Sequence, residues 1–137
     1  MTLGLQIELI TYLSLPILTG ICEFEIEFTL NREWYLPFQK FRYKLVKLVD
    51  ELLDILDTQK DFYFSFDGQT IVLEDYLEIR PENRKKLLHY IREDKIIVGP
   101  WYILPDIWLV GEESLIRNLE YSLDLAKDLK IPLMNLG

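Results

Sequence analysis

Three short stretches of the chain combine flat aromatic rings with groups that donate or accept hydrogen bonds. They are Asn31-Arg32-Glu33-Trp34-Tyr35, Asp67-Gly68-Gln69, and Gly99-Pro100-Trp101-Tyr102 running on to Pro105-Asp106. Aromatic faces stack on the C–H patches of a sugar, while its hydroxyls need paired donors and acceptors from carboxylates, amides and guanidinium groups. The chemistry these residues could do together is the binding of a polyol. Each stretch also has a plainer use: Asp67-Gly68 is a turn sequence, Pro105-Asp106 can cap a loop, and Trp34 and Trp101 can fill a core.

Groups able to cleave a glycosidic bond are scarcer. Hydrolysis of such a bond takes two carboxyl groups placed on either side of it. Glu74 and Asp75 are neighbours in sequence, so on a helix they point in different directions and cannot straddle it. His89, the single histidine, lies between Leu88 and Tyr90 on a helical stretch and reads as a surface or half-buried residue rather than a metal ligand.

The elements that must position these residues follow from hydrophobic spacing. Glu23-Phe24-Glu25-Ile26-Glu27-Phe28 alternates at the strand period, and a helix takes over from Phe38 with apolar residues at Phe41, Leu45, Leu48, Val49, Leu52, Ile55 and Leu56. On that helix Lys40, Lys44 and Lys47 come early and Asp50, Glu51, Asp54 and Asp57 late, an order that opposes the helix dipole. A second strand is expected at Asp61–Phe66, closed by Asp67-Gly68, and a short helix at Ile71–Ile79. Pro81 ends that helix and opens another, whose buried side is Leu87, Leu88 and Ile91. A third strand at Lys95–Val98 is closed by Gly99-Pro100. The last helix starts at Glu112-Glu113, buries Leu115, Ile116, Leu119, Leu123 and Ala126, and leads to a fourth strand from Ile131. Strands alternating with helices in this way make βαβ units with right-handed crossovers, so the expected fold is α/β, a partial (β/α) barrel of about four parallel strands. In such folds ligands bind at the carboxyl ends of the strands, where the three aromatic stretches fall. Glu23, Glu25 and Glu27 fit an edge strand better than a central one.

Bulk properties narrow the partners. With 137 residues, 50% of them hydrophobic, the chain suits one modest domain, and a net charge of −8 argues against a nucleic-acid or anionic-membrane partner. Leu9–Cys22 is apolar, but no Lys or Arg precedes Arg32, and Pro16 and Gly20 interrupt it, so neither a secretion leader nor a membrane span is expected. Residues 1–22 are read as an apolar N-terminal extension and 23–137 as the α/β domain. The single cysteine, Cys22, excludes an internal disulfide framework and fits a reducing, cytoplasmic setting.

N-R-E-W-Y-L-P-F-Q-K-F-R, D-G-Q-T-I-V-L-E-D-Y-L-E-I-R-P-E, G-P-W-Y-I-L-P-D and E-S-L-I-R-N-L, in this order from about Arg32 to Gly137, resemble the amino-terminal catalytic domain of glycoside hydrolase family 38, the α-mannosidases. The resemblance implies a distorted (β/α) barrel, retaining chemistry on α-mannosides or mannosylglycerate-type substrates in mannose metabolism, and a divalent metal, usually zinc. It also implies that Trp34 stacks on the mannose ring and that Asp67, Gln69, Trp101 and Asp106 line or support the pocket. The family's metal-binding His-x-Asp before R-E-W is replaced here by Thr29 and Asn31. These are neutral oxygen donors that lack the charge and softness zinc prefers. The family's aspartate nucleophile, its acid and its last histidine ligand lie in segments beyond those matched, so no catalytic residue and no zinc are expected in this chain.

What the resemblance implies is an N-terminal piece of an α-mannosidase-like hydrolase, inactive alone. Two alternatives are a split-enzyme subunit completed by a second chain, and a non-catalytic carbohydrate-binding protein. Because an open set of strands leaves a bare edge and uncovered apolar helix faces, a completing chain or a homo-oligomer is expected.

Overall fold

The computed structural model describes residues 37–66 and 68–133. The expected strand at Glu23 and residues Thr29, Asn31, Trp34 and Asp67 lie outside them, as does the extension at 1–22. Helix α1 spans Phe38–Thr58. Pro37 precedes it and its carbonyl accepts from the N–H groups of Lys40 and Phe41 at 2.9 and 3.1 Å, consistent with a proline at a helix start, where no donor is lost. The face carrying Phe41, Leu45, Leu48, Val49, Leu52 and Leu56 is buried, as the spacing requires, with Leu53 added to it.

Strands β1 (Phe64–Ser65) and β2 (Ile96–Ile97) pair in parallel, Phe64 opposite Ile96 and Ser65 opposite Ile97. The ladder is shorter than the aromatic run because the N–H of Phe62 still bonds back to the carbonyl of Gln59 as the chain leaves α1. Period two shows in the burial: Phe62, Phe64 and Phe66 point inward and Tyr63 outward. The rings of Phe64 and Phe66 meet edge to face, centroids 4.9 Å apart. Of the four strands expected, these two are present; residues 131–133 form no strand, although the N–H of Ile131 still bonds the carbonyl of Ala126.

Between the strands run α2 (Ile71–Ile79), a 3₁₀ turn (Pro81–Asn83) and α3 (Arg84–Arg92); after β2 comes α4 (Glu112–Leu129). A single core gathers the inner faces of α1, α2, α3 and both strands, reached by Ala126 and Leu129 near the end of α4. The acidic second half of α1, which opposes its own dipole, is used across the helix interface. Asp50 accepts from the Tyr76 hydroxyl at 2.6 Å and from Arg80 and Asn83 at 3.3 Å each. Asp57 accepts from Lys86 and Tyr90, both at 2.6 Å. Those partners, from α2 through α3, supply a reason for the charge order that an isolated helix lacks.

The last helix corrects the sequence reading. Its buried line is Ser122, Ala126 and Leu129, whereas Ile116 is 54% and Leu123 50% exposed, and Leu115 and Leu119 are half-buried. Two polar contacts turn it this way: the Ser122 and Thr70 hydroxyls meet at 3.3 Å in the interior, and Asn118 clasps the loop after β2. A purely apolar count places the stripe one flank too far round.

Candidate functional site at the carboxyl ends of the strands

Past their short ladder the two strands stay together. The peptide N–H of Trp101 donates to the carbonyl of Gly68 at 3.0 Å, and the N–H of Thr70 donates to the carbonyl of Trp101 at 2.9 Å, so Gln69 and Trp101 form a further parallel bridge. Ile71 adds a bond to the carbonyl of Tyr102 at 3.1 Å. Gly68, at φ +69°, makes this approach possible by turning the chain through the left-handed region that L side chains resist. Two of the three aromatic and polar stretches read from the sequence are thus fastened side by side by backbone hydrogen bonds at the end of the sheet where α/β folds bind ligands.

Gln69 is completely buried, and among the described residues neither its side-chain carbonyl oxygen nor its amide nitrogen has a hydrogen-bond partner. Buried polar groups are almost always paired, so an orphaned amide at this end of the sheet is unusual. Trp101 is half-buried, with its backbone committed to the bridge. Asp106 is exposed, and its carboxylate accepts from the N–H of Trp108 at 3.1 Å while its carbonyl takes those of Leu109 and Val110, so in this arrangement it closes a turn. Gln69 and Trp101 are therefore brought together, Asp106 lies further along the same loop, and Trp34 and Asp67 lie outside the described residues.

Sequence reasoning missed the part that Thr70 plays in holding this end rigid. Thr70 sends its hydroxyl to the carbonyl of Trp101 at 3.3 Å as well as to Ser122. The Asn118 carboxamide accepts from the N–H groups of Tyr102 and Ile103 at 2.7 and 3.0 Å and donates to the carbonyl of Ile103 at 2.6 Å. The Tyr102 hydroxyl reaches the carboxylate of Glu74 on α2 at 2.5 Å, and its ring lies 5.6 Å from that of Tyr121 on α4. A threonine just ahead of an apolar helical run was the available signal, although its hydroxyl bridges loops instead of capping the helix. Arg117, by contrast, pairs along its own helix among the described residues, with Glu113 at 2.7 Å.

Elsewhere, Glu74 is exposed and Asp75 buried, as expected for adjacent helical positions. His89 is exposed beside Tyr90, ring centroids 5.4 Å apart. Among the described residues no three of His, Cys, Asp and Glu stand together as a metal site would require, and no helix is long and apolar enough to cross a membrane.

Residues 30–129 match the model for the glycosyl hydrolases family 38 N-terminal domain. A protein of Halalkalibacterium halodurans bearing the provisional name mannosylglycerate hydrolase is 48% identical over 94 residues, which make up 68% of this chain and 10% of that protein. Two crystal structures from Enterococcus faecalis superimpose on 74% of the chain. One is a protein in glycosyl hydrolase family 38, with TM-score 0.67 and 36% identity. The other is an α-mannosidase, with TM-score 0.69 and 38% identity. The chain spans 12% of each of those structures, about a tenth of the length of its relatives. With a matching family model over most of its length and the same backbone arrangement in solved members, this chain belongs to glycosyl hydrolase family 38, in the N-terminal domain of that family.

Proposed function

We propose that the chain supplies one wall of an α-mannoside-hydrolysing site, of the α-mannosidase or mannosylglycerate hydrolase kind, and that it hydrolyses nothing by itself. The observation that carries this reading is the Gln69–Trp101 bridge at the carboxyl ends of two parallel strands, in a chain that covers about a tenth of the family members it matches. In this reading Trp34 and Trp101 offer ring faces to the sugar, while Asp67, Gln69 and Asp106 hold the rim. Gln69, being fully enclosed, supports the pocket and does not touch the ligand unless the loop above it moves.

Zinc, which the family implies, is poorly served by this sequence. At the positions of the family's imidazole and carboxylate, the hydroxyl of Thr29 and the amide of Asn31 offer neutral oxygens that neither balance a divalent charge nor match its preference for nitrogen, sulfur or anionic oxygen. We assign no catalytic zinc, nucleophile or acid to these residues. In this reading hydrolysis needs further polypeptide that continues the fold, and the lone Cys22 fits a reducing compartment. Incubation of the purified 137-residue chain with an aryl α-mannoside, with and without zinc, tests the reading. No sugar release is expected in either case, and turnover by the chain alone refutes it.

A further inference from the structure

In the loop after β2, every backbone polar group from Trp101 to Ile103 is bonded. On the side of β1 and α2, the N–H of Trp101 donates to the carbonyl of Gly68 at 3.0 Å, and the carbonyl of Trp101 accepts from the N–H of Thr70 at 2.9 Å. The carbonyl of Tyr102 accepts from the N–H of Ile71 at 3.1 Å. On the side of α4 a single side chain takes the other three groups. The Asn118 carboxamide oxygen accepts from the N–H groups of Tyr102 and Ile103 at 2.7 and 3.0 Å, and its nitrogen donates to the carbonyl of Ile103 at 2.6 Å.

In a trans peptide the C=O and N–H point in opposite directions. The peptide between Trp101 and Tyr102, and the next one between Tyr102 and Ile103, are therefore each pinned at both edges, the carbonyl to the start of α2 and the N–H to Asn118. A peptide plane held at one edge can rock about the chain direction. Held at both, it fixes ψ of Trp101 and φ of Tyr102, and these backbone angles limit the rotamers open to the half-buried Trp101 ring. The task also selects the side chain. A carboxylate of the same shape accepts twice but has no N–H to give, and an aliphatic side chain does neither.

We infer that Asn118 is the positioning residue for the Trp101 ring. It sets the rim of the site before a sugar arrives, so that binding does not have to order the loop. The task of the ring rests on the proposed function; the way the ring is held does not.

The test is amide hydrogen exchange on the full chain, read residue by residue by NMR, with Trp101 as sole fluorophore in a Trp34→Phe, Trp108→Phe background. Asn118→Leu removes all three bonds while favouring the helix. Exchange at Tyr102 and Ile103 should quicken by on the order of 10–100-fold, with the α1 amides unchanged, and the fluorescence anisotropy of Trp101 should fall. Asn118→Asp keeps both accepted bonds and should restore protection at Tyr102 and Ile103 to within about threefold of the parent, a rescue that simple packing would not give. Arg117→Ala, at the neighbouring exposed position, should change neither readout. The inference is overturned if Asn118→Leu leaves exchange or anisotropy as in the parent, if Asn118→Asp protects no better than Asn118→Leu, or if Asn118→Leu unfolds the chain, since the residue is then a general prop. Neither readout needs a sugar. A chain that responds as expected yet contributes to no α-mannoside hydrolysis defeats the proposed function alone, and a Trp101 indifferent to Asn118 defeats the inference alone.

Discussion

Replacing Gln69 by Met should make the isolated chain more stable, an unusual direction for a change at a fully buried position. The amide is shut away from water with both polar atoms unpaired, so folding strips its hydration without returning a hydrogen bond. On protein scales that penalty is about 1–3 kcal/mol. Methionine is similarly long and unbranched, fills nearly the same volume, and carries no group that needs a partner. Removing the penalty at little packing cost predicts a gain of about 1–2 kcal/mol. In urea unfolding, where the slope for a chain of this size is about 1–2 kcal/mol per molar, the midpoint should rise by about 1 M with the slope unchanged. Gln69→Ala serves as the contrast: it also removes the amide but leaves a cavity, and should cost roughly 1–3 kcal/mol relative to Met. A Gln69→Met chain that is less stable than the parent refutes the reasoning, because it means that the amide is bonded in solution. If the Gln69 amide belongs to the sugar site, the same substitution should lower hydrolysis in a completed enzyme, the usual opposition between stability and function at such positions.

Tyr76→Phe removes a buried hydroxyl that donates to Asp50 at 2.6 Å and accepts from Asn83 at 2.6 Å, and should destabilise the chain by about 1.5–3 kcal/mol in the same unfolding assay. Burial first, and then the Asp50 carboxylate, push the Tyr76 phenol above the ordinary tyrosine value. Its contribution to stability is therefore complete below about pH 10 and fades as pH rises through the higher folded value, an alkaline loss that Tyr76→Phe should reduce. At the acid end, the Lys86 and then the Tyr90 hydrogen bonds hold the Asp57 carboxyl below its usual range. That contribution is present above the ordinary carboxylate value and disappears as pH falls through the folded one, which titration of Asp57→Asn against the parent would show. Gly99→Ala puts a methyl group 2.8 Å from Leu133 at φ +77°, and should cost about 1–3 kcal/mol by thermal unfolding. Lys130, which ends α4 at φ 54° and ψ 51°, should yield about 1 kcal/mol of stability when changed to Gly, measured the same way.

Much of the helical framework was legible because it depends on spacing alone. The Phe41–Leu56 stripe, the Ile71–Ile79 helix ended by Pro81, and the Leu87, Leu88, Ile91 face all formed where their periods placed them. The aromatic run at Asp61–Phe66 and the apolar one at Lys95–Val98 became paired parallel strands, although their hydrogen bonds cover only two residues each. What spacing could not reveal were the long-range polar contacts. Thr70 meets Ser122 across more than fifty residues of sequence, and Asn118 binds the loop at Tyr102 and Ile103; together these rotate α4 away from its most apolar face. At the site, sequence order brought Gln69 and Trp101 into one group correctly. It gave no hint that Gln69 would be enclosed, which depends on how neighbouring loops close, whereas the turn that Asp106 closes is the plainer of the two uses that Pro105-Asp106 offered.

The most direct measurement is zinc content together with aryl α-mannoside turnover for the purified 137-residue chain, each repeated after addition of a completing family 38 fragment. The account predicts substoichiometric zinc and no sugar release by the chain alone, with turnover only in the complex. One zinc per chain accompanied by sugar release in the absence of the fragment would contradict it.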